Sequence, residues 1–557
     1  MHKRYCVPAG KVEAAQERAF RLLDAHRRPD SWVGEMSSSA LATAISCLAL
    51  HLQPDAAPRS AVRSGLAWLA ETQHKDGGWG DGVTDPSNMN ATSLTASVLQ
   101  YCDADAYSDA IRDALRWVEK AGGFRALNDP RVVSLSGPCR SVYALAGFVD
   151  WSRVRKLPTE MILLPRRIRR TVSTTFPAFL SLSLMHERFS PAPWWRRPLR
   201  RRATREALAW LRRAQGPNGS YEESAFLTSL IVVALTVADV GADDIIQRAL
   251  PFVRRSQRAD GSWPIDRDLE NFDTAQAVFA HHEANRPIAE SERVREWFLK
   301  NQFHAPCFPT SAPPGGWAWA QPAGWPDVDD TSYALRALRI LGMPAEHESI
   351  HLGVQWLYKM QNRDGSWPTF VRGSKMPFDH DCPYITAHVL SALAALGPRE
   401  SQGEPARRAL AYLRRHQRPD GSFDSLWFRA YTCGTAAVVE ALVDLDLVDD
   451  PVVHRAAEWL RAHQNADGGW GDGRGAGSTA EETAWATAAL LRLGSAHYHE
   501  AAGRGIEWLL ANQREDGGWD VAVIGLYYSS LAYSNTFYAL SYPLVALSRY
   551  RKSELIS

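Results

Sequence analysis

The chain has 557 residues and a formal net charge of +1, from 63 Lys and Arg against 62 Asp and Glu, so it is long enough for two or more domains and has no global bias toward nucleic acid. Its seven cysteines are odd in number, scattered and without a C-x-x-C pair, which argues against a disulfide framework or a zinc ribbon and reads as reduced thiols in a cytosolic setting. The 21 tryptophans exceed ordinary usage and call for an explanation.

The opening stretch, MHKRYCVPAGKVEAAQERAF, has no apolar run of signal-peptide type, and no segment approaches the length of a membrane span. Beyond it a repeat accounts for many of the tryptophans. Its copies are GLAWLAETQHKDGGWG (65–80), ALPFVRRSQRADGSWP (249–264), GVQWLYKMQNRDGSWP (353–368), ALAYLRRHQRPDGSFD (409–424), AAEWLRAHQNADGGWG (456–471) and GIEWLLANQREDGGWD (505–520), with a weaker one in ALAWLRRAQGPNGSYE (207–222). Gln302 in WFLKNQFHAP marks a further copy. Each unit reads as an amphipathic helix ending at the Gln, a turn in which Gly supplies positive φ, and a second helix such as TAAVVEALVDL (435–445). Helix pairs at this spacing predict a solenoid or a closed ring. The Gln and Trp residues then serve as staples between helices, with no catalytic role.

Residues 151–205 break the pattern, with 14 Lys and Arg against 2 Asp and Glu. Basic clusters at 163–170 and 194–202 flank the apolar TFPAFLSLSL (175–184). That combination suits a surface lying on anionic lipid; a solvated basic linker or a grip on a substrate diphosphate are the other readings.

The stretch GWPDVDDTSYALRAL (324–338) crowds Asp327, Asp329 and Asp330 at a helix start. Such acids are ordinarily N-caps and solvated. Here Trp317, Trp319 and Trp325 precede them and an apolar helix follows, so they read as enclosed, with at least one carboxyl keeping its proton well above the usual pKa. Further on, His388 in PYITAHVLSAL (383–393) lies on an apolar helix, where a lone His is commonly a satisfied core residue.

The Q-x-x-D-G-S/G-W repeats together with D-V-D-D-T closely resemble the class II terpene cyclases, and within them the squalene-hopene cyclases. The resemblance covers nearly the whole chain. It implies an all-α protein of two α/α barrels of γ and β type, at about 31–285 and 286–557, the second completed by the N-terminal helix within 1–30. It implies that Asp329 protonates a terminal alkene or epoxide, that Asp327 and Asp330 hold its geometry and proton, and that His388 stands beside the acid. Pocket positions of the family fall on Trp319, Trp427 and Tyr538, with Trp151 as a further candidate; ordinary core packing is the alternative for each. Cation-tolerant aromatic faces suit carbocation chemistry. The segment LPTEMILLPRR (157–167) resembles the family's monotopic membrane patch, implying a cytoplasmic, peripherally membrane-associated protein. Tyr384, Cys433, Leu531 and Asn535 depart from the family pattern and leave the product open.

The expected reaction is protonation-initiated cyclisation of a linear polyprene, squalene-like or a prenylated neutral compound. A prenyl diphosphate is the runner-up, and Mg²⁺ would enter only with it; otherwise no cofactor and no metal site are expected, and ADDIIQ (242–247) fails as a D-D-x-x-D motif. Oligomeric state is open, a homodimer among the options. Outside this class stand a protein prenyltransferase-like subunit, for which His380, Asp381 and Cys382 would be the nearest zinc ligands, and a non-catalytic lipid-binding barrel.

Overall fold

The structure, a computed structural model, describes residues 7–53, 59–129, 134–191, 193–528 and 531–553. Cys6 lies outside these residues; the other six cysteines are free thiols. The fold is all-α, with two short antiparallel ribbons, β1 (Trp317–Ala318) with β2 (Pro326–Asp327) and β3 (Gly525–Tyr528) with β4 (Leu531–Tyr533).

The helices are of two chemical kinds, and the kinds sort by layer. Outer helices such as Ser108–Lys120 bury one stripe, Ile111, Ala114 and Val118, and turn their charges to water. Inner helices such as AFLTSLIVVALTVA (Ala225–Ala238) have no polar face and must be surrounded. After the N-terminal helix α1 (Ala9–Ala25), the inner helices of the first barrel are α2 (Ala40–His51), α3 (Met89–Asp103), α4 (Ser136–Leu145), α5 (Phe176–Phe189) and α6 (Ala225–Ala238). Each packs on the next, and α6 returns against α2. The second barrel is ringed by α7 (Glu270–Glu283), α8 (Val328–Ile340), α9 (Pro383–Leu396), α10 (Thr432–Asp444), α11 (Ala480–Arg492) and α12 (Tyr538–Lys552), with α12 closing on α7.

The repeat residues hold these rings. The Gln side chain at the end of each outer helix donates twice, to the turn glycine's carbonyl and to a carbonyl near the start of the next outer helix. Gln257 thereby reaches back to Ala61 (2.9 Å) and closes the first ring; Gln513 reaches Ala15 in α1 (2.9 Å) and closes the second. Trp79, Trp263, Trp367, Trp470 and Trp519 each donate the indole N–H to a carbonyl ten residues earlier at 2.7 Å. Gln302 and Trp317 make the same two links, as the expected extra copy. The sequence reading missed a third link: the backbone N–H of the turn aromatic donates to a Thr hydroxyl in the inner helix, as Trp317 does to Thr331 and Tyr221 to Thr228 (both 2.9 Å). Burying a Trp transfers about 200 Å² out of water, on the order of 5 kcal/mol before entropy is counted. Gly365, at φ 98°, shows why the turn needs glycine: a Cβ would lie 2.3 Å from the Arg408 carbonyl oxygen.

The two apolar cores divide between Trp263 and Leu269. Residues from Ala40 to Trp263 form one cluster, while Phe272, Val278 and Phe279 of α7 pack with the second. The reason lies in the closure. The turn of the 249–264 repeat donates its Trp263 N–H to Thr43 in α2, so the inner partner of that repeat comes from the start of the chain and α7 is left to the second barrel. The helix α1 packs on α12, outside the second ring. Across the boundary, Arg429 pairs with Asp85 (2.9 Å) and the Ala532 N–H donates to Asp81 (2.8 Å).

Candidate active site

A cavity of about 480 Å³ lies between the barrels, walled by residues of both. The acid triplet stands at its edge. Asp327 is the N-cap of α8, accepting from the Asp330 N–H at 2.8 Å, so the commonplace role of such an acid is real here. Yet none of the three is solvated: Asp327, Asp329 and Asp330 are 2%, 7% and 6% exposed. Burial, with Asp330 beside it, holds the Asp327 carboxyl well above the usual range, and its second oxygen has no partner among the described residues. Burial also pushes Asp330 up to about 7, with Asp329 adding to the effect and a hydrogen bond from Asn271 Nδ2 to Asp330 Oδ1 (2.7 Å) opposing it.

Asp329 sits between two spaces. Its side chain lines the large cavity, and its Oδ1 lies 2.5 Å from His388 Nδ1. His388 itself lines a smaller cavity of about 110 Å³ inside the second barrel. The other imidazole nitrogen, Nε2, is 3.4 Å from the Tyr333 hydroxyl, and the Tyr384 ring stands edge-on to His388 at 4.1 Å. A carboxyl in this position can lend a proton to an apolar guest in the large cavity while the imidazole holds its other side.

The aromatic candidates divide. Trp319, Trp427 and Tyr538 all line the large cavity, the first two on either side of Phe370 (ring centroids 5.6 and 6.2 Å) and Tyr538 against Phe428 (5.4 Å) and Phe272 (5.3 Å). Trp151 is not among the lining residues. It lies in a short 3₁₀ turn beyond α4, stacks flat on Phe189 at 4.1 Å at the far end of α5, and packs against the core of the first barrel. Leu531 lines the large cavity and Cys433 the small one, whereas Asn535 is turned away and donates to Asp273 (2.9 Å).

Several site residues went unnoticed in the sequence. Tyr333 was detectable, since it follows Asp329 by four residues and shares its helix face. Asn271, Phe370, Phe428, Tyr533, Glu222 and Asp266 reach the site from other elements and carry no local signal. The suspected zinc ligands do not converge: Asp381 pairs with Lys375 (2.7 Å), and among the described residues no group of three or more His, Cys, Asp or Glu is arranged to hold a metal. Nor is any helix among the described residues long and apolar enough to cross a membrane.

Comparison with known proteins yields matches over most of the chain. Residues 270–552 match the squalene-hopene cyclase C-terminal domain, 13–176 the squalene-hopene cyclase N-terminal domain, and 120–306 the prenyltransferase alpha-alpha toroid domain. The chain is 27% identical over 626 residues to a squalene–hopene cyclase of Alicyclobacillus acidocaldarius, with 96% of each chain covered. It is 30% identical over 294 residues to a drimenyl diphosphate synthase of Streptantibioticus cattleyicolor, covering 50% of this chain and 52% of that one. Among solved structures it is similar in fold to ent-copalyl diphosphate synthase from Streptomyces platensis, with a TM-score of 0.65, 19% identity, and 97% and 99% of the two chains covered.

Proposed function

The chain belongs to the squalene-hopene cyclase family and is a class II terpene cyclase acting on an isoprenoid, and from that premise we propose that Asp329 is the acid that starts the reaction. The observation that carries this reading is the position of one buried carboxyl, in contact with His388 at 2.5 Å and lining an aromatic cavity. The Asp329 proton adds to the terminal double bond of the bound polyprene. The resulting cation is attacked by successive double bonds, each forming one ring bond, and the last cation loses a proton or captures water. His388 holds the carboxyl and stabilises the carboxylate left behind; Asp327 and Asp330 fix its geometry and proton. The walls of Trp319, Trp427 and Tyr538 stabilise the travelling charge without bonding to it. No metal enters the acid step.

The substrate we propose is a long neutral polyprene. Among the described residues, five carboxyl side chains but a single arginine, Arg140, line the cavity, a poor match to a diphosphate. The 30% identity to a drimenyl diphosphate synthase over half the chain keeps a diphosphate as the second reading, and Mg²⁺ would then accompany it. The proposed route for so apolar a substrate is a membrane. Leu164, Ile168, Phe189, Trp194, Trp195 and Leu199 are each exposed within the arginine-rich segment, Trp194 by 77%, and would seat the protein peripherally on an anionic bilayer. A cytoplasmic location with this peripheral contact follows as part of the same reading, as does a chain of two barrel domains of γ and β type.

The test is a substrate panel of squalene, geranylgeranyl and farnesyl diphosphate and a prenylated phenol, offered to detergent-solubilised enzyme with Asp329→Asn as control and products read by gas chromatography and mass spectrometry. Cyclic product from a neutral polyprene, absent in the control, is the expected result. Cyclisation confined to the diphosphates would overturn the substrate reading, and equal product from Asp329→Asn would overturn the mechanism.

A further inference from the structure

Glu222 and Glu223 stand side by side in the turn between Tyr221 and α6, both with left-handed backbone, at φ 59° and 58°. Non-glycine residues adopt that conformation at a cost, so the surroundings must hold it. Glu223 supplies the hold. Its Oε1 accepts from Asn218 Nδ2 (2.8 Å), from Ser220 Oγ (3.1 Å) and, across the domain boundary, from the Ala323 N–H (3.1 Å). Glu222 is used differently. It lines the large cavity, and its buried Oε1 has no hydrogen-bond partner among the described residues. Asp266, only 6% exposed, lines the same cavity from the neighbouring backbone, where residue 266 bridges to Ser224. Both acids come from the first barrel, whereas Asp329 comes from the second, and neither serves in the ring-closing steps described above.

A buried carboxyl oxygen without a partner is destabilising unless a ligand bonds to it. A hydrocarbon cannot. A diphosphate would bring negative charge against two acids; among the described residues Arg140 is the one arginine lining the cavity, and it already donates to the Ser136 carbonyl and Asn128, while Arg267, next to Asp266, is paired with Asp268 (2.9 Å) and Glu223 (3.8 Å). An uncharged oxygen fits the geometry of two carboxyls on one wall: burial raises Glu222 well above the usual carboxyl range, which gives its free oxygen an O–H to donate, and Asp266, raised to about 7 by burial against hydrogen bonds from Tyr527 and Ser224, adds an oxygen that can accept. Resting on the neutral-substrate reading above, we propose that Glu222 and Asp266 form a polar subsite for the hydroxyl, carbonyl or phenol head of a polyprene whose hydrocarbon tail presents its terminal double bond to Asp329.

The experiment compares geranylgeraniol, a geranylgeranyl phenol, the corresponding methyl-ended hydrocarbon and geranylgeranyl diphosphate on the full-length enzyme, with squalene and Asp329→Asn as controls. The expected result is a kcat/KM for the alcohol or phenol on the order of tenfold or more above the hydrocarbon and the diphosphate. Glu222→Ala and Asp266→Leu each shrink that preference severalfold through KM, while Glu222→Gln, which keeps the hydrogen-bonding shape, retains most of it. Hydrocarbon or diphosphate turned over as well as the alcohol and phenol, or a preference that survives both removal variants, overturns the subsite and leaves Asp329 as the acid untouched. Failure of every neutral polyprene, squalene included, overturns the subsite together with the reading beneath it.

Discussion

The mouths of α6 and α8 are the same piece of scaffold in two barrels. Tyr221 and Trp317 each give a backbone N–H to a Thr hydroxyl, Thr228 and Thr331, which sets the two turns in register. Ser224 caps α6 where Asp327 caps α8, the one accepting from Leu227 N and the other from Asp330 N. Phe226 then occupies the place of Asp329, and both line the cavity. One scaffold position thus presents a hydrophobic ring from one barrel and an acid from the other. The staples are repeated because every helix pair needs them. An acid also follows the cap by two residues in α11, where Thr479 caps and the buried Glu481 accepts from the Ala522 N–H (3.1 Å), but of the two only Asp329 lines the cavity and meets His388, while its neighbour Asp330 is held by Asn271. Chemistry here is a substitution on a repeated frame, not a property of the frame.

The comparison breaks most visibly by removing the acid. Asp329→Asn should cut turnover by a factor on the order of 10³ or more with an unchanged thermal melt, since it removes a proton and little volume. Adding Phe226→Asp to that variant should restore nothing; recovered cyclisation would show that the position alone suffices. His388→Ala comes next, with a loss on the order of 10² in kcat and substrate KM nearly unchanged. Trp427→Ala should keep most turnover but release early-terminated products, and an unaltered product profile would count against its place beside the cations. The staples should behave alike in both barrels: Gln215→Ala and Gln361→Ala each remove two hydrogen bonds and should each cost about 1–3 kcal/mol on denaturant unfolding, with activity per folded molecule retained. A difference of several kcal/mol between them would mean that the frame is not uniform.

The smallest effect concerns pH. Asp330, Asp81, Asp379 and Glu481 are all raised to about 7 by burial, so the folded chain binds more protons than the unfolded chain between the ordinary carboxyl range and about 7. Their effect is most favourable to the fold below their unfolded pKa values and is lost as pH rises through about 7. The melting temperature should therefore fall from pH 5 to pH 8, and less steeply in Asp330→Asn.

The repeats and the acid triplet were legible in the sequence because each is local: one run of residues carries both the pattern and its cause. His388 was readable only through resemblance, because a histidine on an apolar helix says nothing about what faces it. The division of the two cores after Trp263 has no local signal, because ring closure borrows α2 from the far end of the chain. Trp151 was a pocket candidate only through resemblance, and nothing local to it signals the stack on Phe189. Glu222 and Asp266 escaped notice because their proximity arises only when the turn before α6 meets the segment before α7.

The most direct test of the account is cyclisation in D₂O with mass and NMR analysis of the product. If Asp329 delivers a solvent-exchangeable proton to the terminal alkene, each cyclic molecule carries one carbon-bound deuterium at the carbon that was protonated, and Asp329→Asn forms no such product. Cyclic product of unchanged mass, with no carbon-bound deuterium, would contradict initiation by protonation and with it the role assigned to the buried triplet.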